Sequence, residues 1–448
     1  MVDKTGMDGD SLREHLRETL SAETIYELAD KYGVQERERK LDVFEFVVAL
    51  ILAGGTHEGG RQYDVLRTYL ENGAAKVRRG TFYGWFTEPL RLLLTDLLER
   101  AIAVGQRQPK LLPGILGGVR DWRVVDSTTL RLDDVLVGDF PGTGDYAALK
   151  IHKEWSVGTG NLVAYKITPA REHDSPHLQV DVDRRGTGLL VDLGYARIDR
   201  LAECEVNDVK YVVRLKENWK PTVNRLVRGS NFPDLAEGAD FDTLFDEDVI
   251  VLDGQAIDAD VTVGRGARRV ACRLVGIPTP KGYCFFLTNL SRKTHGPYQV
   301  GEVYRVRWEI EIDNKVEKAG ARLDEITARK PVSAQILVLA TLLNATIART
   351  IVQSEKLAVV AAKESPSDPA AQPPLHPILL MRALSSAHGT ITRLLWSDQD
   401  NPVEWRKLMS RLRDLGSDPN WRRRPSVLDR IQGLTAPPVP RRRAGRAA

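Results

Sequence analysis

The segment YRVRWEIEIDNKVEK, residues 304–318, sets one carboxylate among cations and a phenol at helical spacing. On an α-helix at about 100° per residue, Arg307, Lys318, Glu311 and Lys315 fall at about −60°, −40°, −20° and +20° from Tyr304. Trp308, Ile312, Val316 and Ala319 fall between about +40° and +120°, an adjacent apolar stripe expected to pack on a core. Such a charged face is ordinarily solvated and laced by i,i+4 pairs. The alternative is a phosphate-binding stripe with an acidic metal ligand embedded in it. Arg grips phosphate oxygens bidentately, and Lys supplies a point charge.

Two more carboxylates favour the second reading. Asp126 follows Val124 and Val125, and Asp192 follows Leu189, Leu190 and Val191. A carboxylate at the end of a buried apolar strand must be solvated, paired or metal-bound. Strand ends often line the site in open α/β sheets. Asp126, Asp192 and Glu311 together form an oxygen donor set suited to hard divalent cations.

The elements that must position these residues are legible in outline. Residues 10 to about 112 read as helical, with apolar Leu41–Ala53 and leucines at helical spacing over Leu90–Val104. From Asp121 the pattern turns to short runs rich in β-branched and aromatic residues: WRVVDSTTL (122–130), LVAYKIT (162–168), GLLVDLGY (188–195) and KYVVRLK (210–216). SPHLQVDVDRR (175–185) is expected as a helix capped by Ser175. Residues 217–282 are rich in Asp and Gly, with alternating runs DVIVL, IDADVTV and RVACRLVGI, and are expected to form a separate β-rich insertion. YCFFLTNL (283–290) is another strand, followed by a helix over about 297–320 and a second after Pro331. Mixed strands and helices imply an α/β architecture. The expected division is a helical DNA-binding domain 1–115, a core of 116–216 and 283–355, the insertion 217–282, and a linker, helical region and basic tail over 356–448.

Composition narrows the function classes. Of 448 residues, 64 are Lys or Arg and 61 Asp or Glu, a net charge of +3, so charge distribution rather than total must decide for or against nucleic acid. Cys204, Cys272 and Cys284 form no CxxC pair and are too few for a disulfide framework. The polar start MVDKTGMDGDSLREHL resembles no signal peptide, and the longest apolar stretch, Ala334–Ile351, is broken by Thr341, Asn344, Thr346 and Arg349. A cytoplasmic, nucleoid-associated protein without a membrane partner is expected. Structural roles are expected for His152 and for His173–Asp174. Arg78 and Arg79, before Thr81, Tyr83 and Trp85, suit either a DNA-contacting helix or a basic turn before a buried aromatic cluster. Tail arginines 441–443 suit nonspecific DNA contact.

Tyr304, Arg307, Glu311 and Lys318 meet the Tyr-x2-Arg-x3-Glu-x6-Lys signature, and the chain thereby resembles the insertion-sequence-four superfamily of bacterial DDE transposases. VVDSTTL resembles the family segment with the first catalytic Asp, giving Asp126; VDLGY resembles the second, giving Asp192. The resemblance covers about 120–350, includes FLTNL (286–290), and implies a ribonuclease H-like core interrupted by a β-rich insertion. It further implies two Mg²⁺ ions, with Mn²⁺ able to substitute, held by Asp126, Asp192 and Glu311. Tyr304, Arg307, Lys315 and Lys318 would bind DNA beside them. The implied partners are double-stranded DNA, both terminal inverted repeats and target, and a second copy in a synaptic dimer. A domesticated nuclease or a catalytically silent DNA-binding regulator are the alternatives. Where some members carry a base-stacking Trp, this sequence has Cys284, flanked by Tyr283 and Phe285.

Overall fold

The computed structural model describes residues 7–34, 42–53, 61–72, 76–228, 238–240, 254–315, 317–318, 323, 326–362, 372–397 and 401–435. Ten strands form one sheet: β1 (Trp122–Arg131), β2 (Ala148–Ser156), β3 (Asn161–Pro169), β4 (Gly188–Val191), β5 (Lys210–Arg214), β6 (Thr222–Arg228), β7 (Ala239–Asp240), β8 (Ile257–Val263), β9 (Val270–Thr279) and β10 (Gly282–Thr288). Their order is β3-β2-β1-β4-β5-β10-β9-β8-β6-β7. The β1, β4 and β5 strands run parallel, while β2 and β3 are antiparallel additions on one side.

Alternate residues of the central strands feed two different layers, as a period of two requires. Val125, Leu189, Val191, Tyr211 and Val213 face a core closed by Leu201 and Cys204 of the helix Ile198–Val206. Trp122, Val124, Leu190, Val212 and Phe286 face the opposite core, closed by Val300 and Val303 of the helix Pro297–Arg305 and by Val306 and Ile310. A third core joins the N-terminal helices (Gly9–Leu20, Ala22–Tyr32, Val43–Leu52, Glu88–Arg107) to the helix Pro331–Ala361 and to Pro377–Ser386, His388–Trp396 and Pro402–Gly416. Pro331–Ala361 is long and apolar enough to cross a membrane by length and composition, but 83% of its most apolar window is buried inside the protein.

Four expectations are corrected. The described strands of 217–282 are β-rich but not separate, because β9 pairs with β10 over Thr279–Arg273 and so carries β8, β6 and β7 onto the edge of the central sheet. DVIVL lies outside the described residues. Residues 175–185 form two short 3-10 turns, Ser175–His177 and Val182–Arg184, instead of a helix. Pro176 removes a backbone donor there, and Leu178 and Val180 are buried at a spacing of two, which suits extended chain. LKIHKEW, in which only His152 drew notice, is the strand β2. The helix expected over 297–320 breaks into Pro297–Arg305 and Trp308–Lys315, with a turn at Val306–Arg307.

Candidate active site

Asp126 does not end its strand, since β1 continues to Arg131. What ends beside it is β4. Val125 pairs with Val191 in parallel register, and β4 stops there, leaving Asp126 and Asp192 as the next residues of two neighbouring strands. The pleat sends Asp126 to the same face as Trp122 and Val124. On that face Asn314 Nδ2 donates to its Oδ2 at 3.2 Å, which seats the helix Trp308–Lys315 over the acidic pair. The Ser127 backbone N–H holds the other oxygen at 2.8 Å. Burial pushes the Asp126 carboxyl above its usual range; Asp192 adds to this, while the Ser127 N–H, Arg307 and Lys153 oppose it.

Arg307 stands amid the carboxylates. Its guanidinium donates to Glu311 Oε1 at 2.6 Å and interacts electrostatically with Asp126 and Asp192. It also lies 5.6 Å from the Tyr304 ring centroid, and Tyr304 packs on Phe286 at 4.9 Å. Tyr304, Arg307 and Glu311 therefore gather as the helical spacing implied. Lys318 reaches further along β1, donating to the Thr129 carbonyl at 3.2 Å. Lys315 is exposed and sits 5.3 Å above the Trp308 ring.

Trp308 is 49% exposed, which corrects the expected apolar stripe. The buried flank is Val303, Val306 and Ile310, at about −100°, −160° and −120° from Tyr304 on the same helical spacing, with Ile312 packed on the helical core from the other side. Val316 and Ala319 lie outside the described residues. Glu309 turns toward the C-terminal segment, where it accepts from the Leu428 N–H at 3.4 Å. Burial, with help from Asp429, pushes its carboxyl up to about 7.

A family model described as the transposase DDE domain matches residues 118–347, just over half of the chain. The chain belongs to the DDE transposase family. Asp126, Asp192 and Glu311 all lie within the matched DDE domain; Arg78 and Arg79 lie outside it. Transposases of the insertion sequence elements IS231B and IS231C of Bacillus thuringiensis subsp. berliner are 27% and 28% identical over 101 residues. That stretch is 21% of this chain and 21% of each relative, so the match spans about a fifth of their length. The chain is also similar to the piggyBac transposase in a synaptic complex with hairpin DNA, at TM-score 0.47 and 11% identity over 91% of this chain and 86% of that one.

Buried charges beside the acidic pair were not singled out in the sequence. Lys153, paired across β1/β2 with Asp126, is fully buried and donates to Asp313 at 2.7 Å and Glu317 at 3.0 Å. Arg349 pairs with Asp313 from the long helix. This buried quartet clamps the helix bearing Glu311 to the sheet. The signal was present: Leu149, Ile151, Lys153 and Trp155 share one side at spacing two, which puts Lys153 indoors.

His152 bonds Tyr195 Oη and Thr168 Oγ1, each at 3.0 Å, and stacks on His177. Burial pulls its pKa down to about 4, so it is neutral near pH 7. Arg78 and Arg79 are exposed, with Arg79 over the Tyr63 ring, whereas Phe82 and Phe86 are buried in the helical core. Tyr283 stacks on Phe285 and donates to the Gln255 carbonyl at 2.7 Å. The tail arginines 441–443 lie outside the described residues.

Among the described residues, no three His, Cys, Asp or Glu side chains converge closely enough to hold a metal ion. The donor chemistry nonetheless fits. Asp126 and Asp192 are neighbouring carboxylates whose mutual repulsion calls for a cation, and Glu311 would join them on leaving Arg307.

Proposed function

We propose that this chain is a transposase that cleaves transposon DNA ends and joins them to target DNA in a metal-dependent reaction. The observation that carries the proposal is the Val125↔Val191 register, which sets Asp126 beside Asp192 under the helix bearing Arg307, Glu311 and Asn314. The strand order β3-β2-β1-β4-β5, with β1, β4 and β5 parallel, supports a ribonuclease H-like core. Asp126, Asp192 and Glu311 would hold two divalent cations, Mg²⁺ or Mn²⁺. When bound, these activate the attacking water or 3′-hydroxyl and stabilise the leaving 3′-oxygen.

The remaining work falls to the chain's own groups. Arg307 makes a single bond to Glu311, one helical turn away, whereas a DNA phosphate can accept two parallel bonds from its guanidinium fork. Transfer of the guanidinium to phosphate would free Glu311 for the acidic set, coupling DNA arrival to assembly of the site. Lys318 and Lys315 extend the positive flank along β1 and the helix. Double-stranded DNA, both transposon ends and target, is the substrate, and a synaptic dimer would hold two ends. The alternative of a silent regulator is disfavoured by the acidic pair, which binding alone does not need.

The test is cleavage of a duplex carrying the element's end, with Mg²⁺ supplied. Asp126→Asn, Asp192→Asn and Glu311→Gln should each abolish cleavage and leave DNA binding nearly intact. Near-normal cleavage by any one removes that residue from the set.

A further inference from the structure

Beyond the acidic pair, on the side away from β1, the chain turns from the Asp192 loop into a cleft of about 400 Å³ lined by Arg197, Asp199, Lys216, Trp219, Arg265 and Arg268. Three elements build it. The first is the start of the helix Ile198–Val206, directly after the Asp192 loop. The second is the turn after β5, where Lys216 lies 5.6 Å from the Trp219 ring centroid. The third is the GRGARR tip (264–269) between β8 and β9.

That tip is fixed in place. Gly264 has φ +90, and a Cβ there would meet the Arg268 carbonyl oxygen at 2.2 Å and Ile198 at 3.1 Å. Only glycine permits this turn and its close seat on the helix after Asp192. The consequence is that Arg265 and Arg268 are held out at the cleft, both exposed.

The charge in the cleft is unbalanced. Arg197 and Arg268 share Asp199, at 3.2 and 3.8 Å. Among the described residues no carboxylate pairs with Lys216 or Arg265, although Lys216 interacts electrostatically with Asp192. Among the described residues that line the cleft, four are cations and one, Asp199, is a carboxylate. Crowded like charges on rigid elements are unfavourable until an anion arrives.

We propose that this cleft carries the phosphate backbone of the DNA duplex on the Asp192 side of the active site, opposite the flank formed by Arg307 and Lys318. The proposal rests on the transposase reading and adds to it a second backbone track, formed by strands that extend the sheet. The topology accounts for the position: β8 and β9 continue the central sheet, and their tip packs on Ile198, just after the Asp192 loop.

The test uses the full chain and a duplex oligonucleotide of arbitrary sequence, with affinity measured from low to high salt. Arg265→Ala/Arg268→Ala should flatten the log–log salt slope by about two units and weaken low-salt binding about tenfold or more. Arg265→Lys/Arg268→Lys should restore most of both. The matched control Arg406→Ala/Arg411→Ala, on the helix Pro402–Gly416, should leave the slope unchanged. Normal duplex binding with a wild-type slope in the Arg265/Arg268 variant overturns this proposal alone. An equal loss in the control overturns it too, because net charge rather than the cleft would then be responsible. Wild-type protein that binds no duplex overturns both this proposal and the reading beneath it.

Discussion

Lys153→Met removes one member of a charge quartet that is neutral as a whole: Lys153 and Arg349 against Asp313 and Glu317. Lys153 and Glu317 are 0% and 1% exposed, so water cannot replace the lost partner. Burial alone pulls Lys153 down and Glu317 up, toward their neutral forms, and each one's charge opposes the shift in the other. Methionine fills much of the same volume, so the cavity cost is small and the leftover negative charge dominates. Breaking one side of a buried ion pair costs about 3–5 kcal/mol. Arg349 remains to screen Asp313, which places the expected loss near the lower end, roughly 3 kcal/mol. Glu317→Gln should cost a similar amount. The double variant Lys153→Met/Glu317→Gln is neutral again and should recover about 2 kcal/mol or more of the summed loss, a coupling typical of contacting charges. Urea unfolding followed by tryptophan fluorescence measures all three. Strictly additive losses, or a single-variant loss under about 1 kcal/mol, would refute the claim that the quartet clamps the helix bearing Glu311.

Other outcomes follow from the same geometry. Arg307→Ala should weaken duplex binding, flatten the salt slope by about one unit and impair cleavage; Lys318→Ala should show the same slope change with a smaller cleavage defect, because its ammonium lies by Thr129 and lacks the guanidinium fork. The folded-state pKa of His152, about 4, lies below its unfolded value of about 6.5, so its contribution to stability is intact above pH 6.5 and is lost as pH falls toward 4. That loss is on the order of 3 kcal/mol, and His152→Gln should flatten the dependence of the thermal midpoint on pH across this window. A slope as steep as in wild type would place the acid-sensitive group elsewhere. Gly188→Ala would drive a methyl to 2.3 Å from the Trp122 ring, whose indole N–H is already committed to the Leu116 carbonyl. It should destabilise the protein by about 1–3 kcal/mol, and an unchanged unfolding midpoint would count against the packing between β1 and β4.

The sequence by itself marked the candidate residues and most of the elements that carry them. Asp126, Asp192 and Glu311 stood out because ionisable groups beside apolar runs are costly, and Tyr304, Arg307 and Glu311 grouped because helical spacing is a local property. The strands around Val124, Leu190 and Val212 were legible for the same reason: each is a short run with its own apolar pattern. Tertiary structure decided what local pattern cannot encode. Lys153 hid β2, because a lysine reads as exposed until its partners Asp313 and Glu317 are brought in from about 160 residues away. The β8 and β9 strands read as a separate body because composition marks a strand but not its neighbour; only the pairing of β9 with β10 attached them to the sheet. Trp308 was misassigned to a core because helical spacing groups residues on a face without saying which face meets the rest of the protein; the buried face is that of Val303, Val306 and Ile310. Adjacency of Asp126 and Asp192, the central fact of the site, depends on the register of two parallel strands. Register is fixed by the packing of both faces at once, and no single segment contains that information.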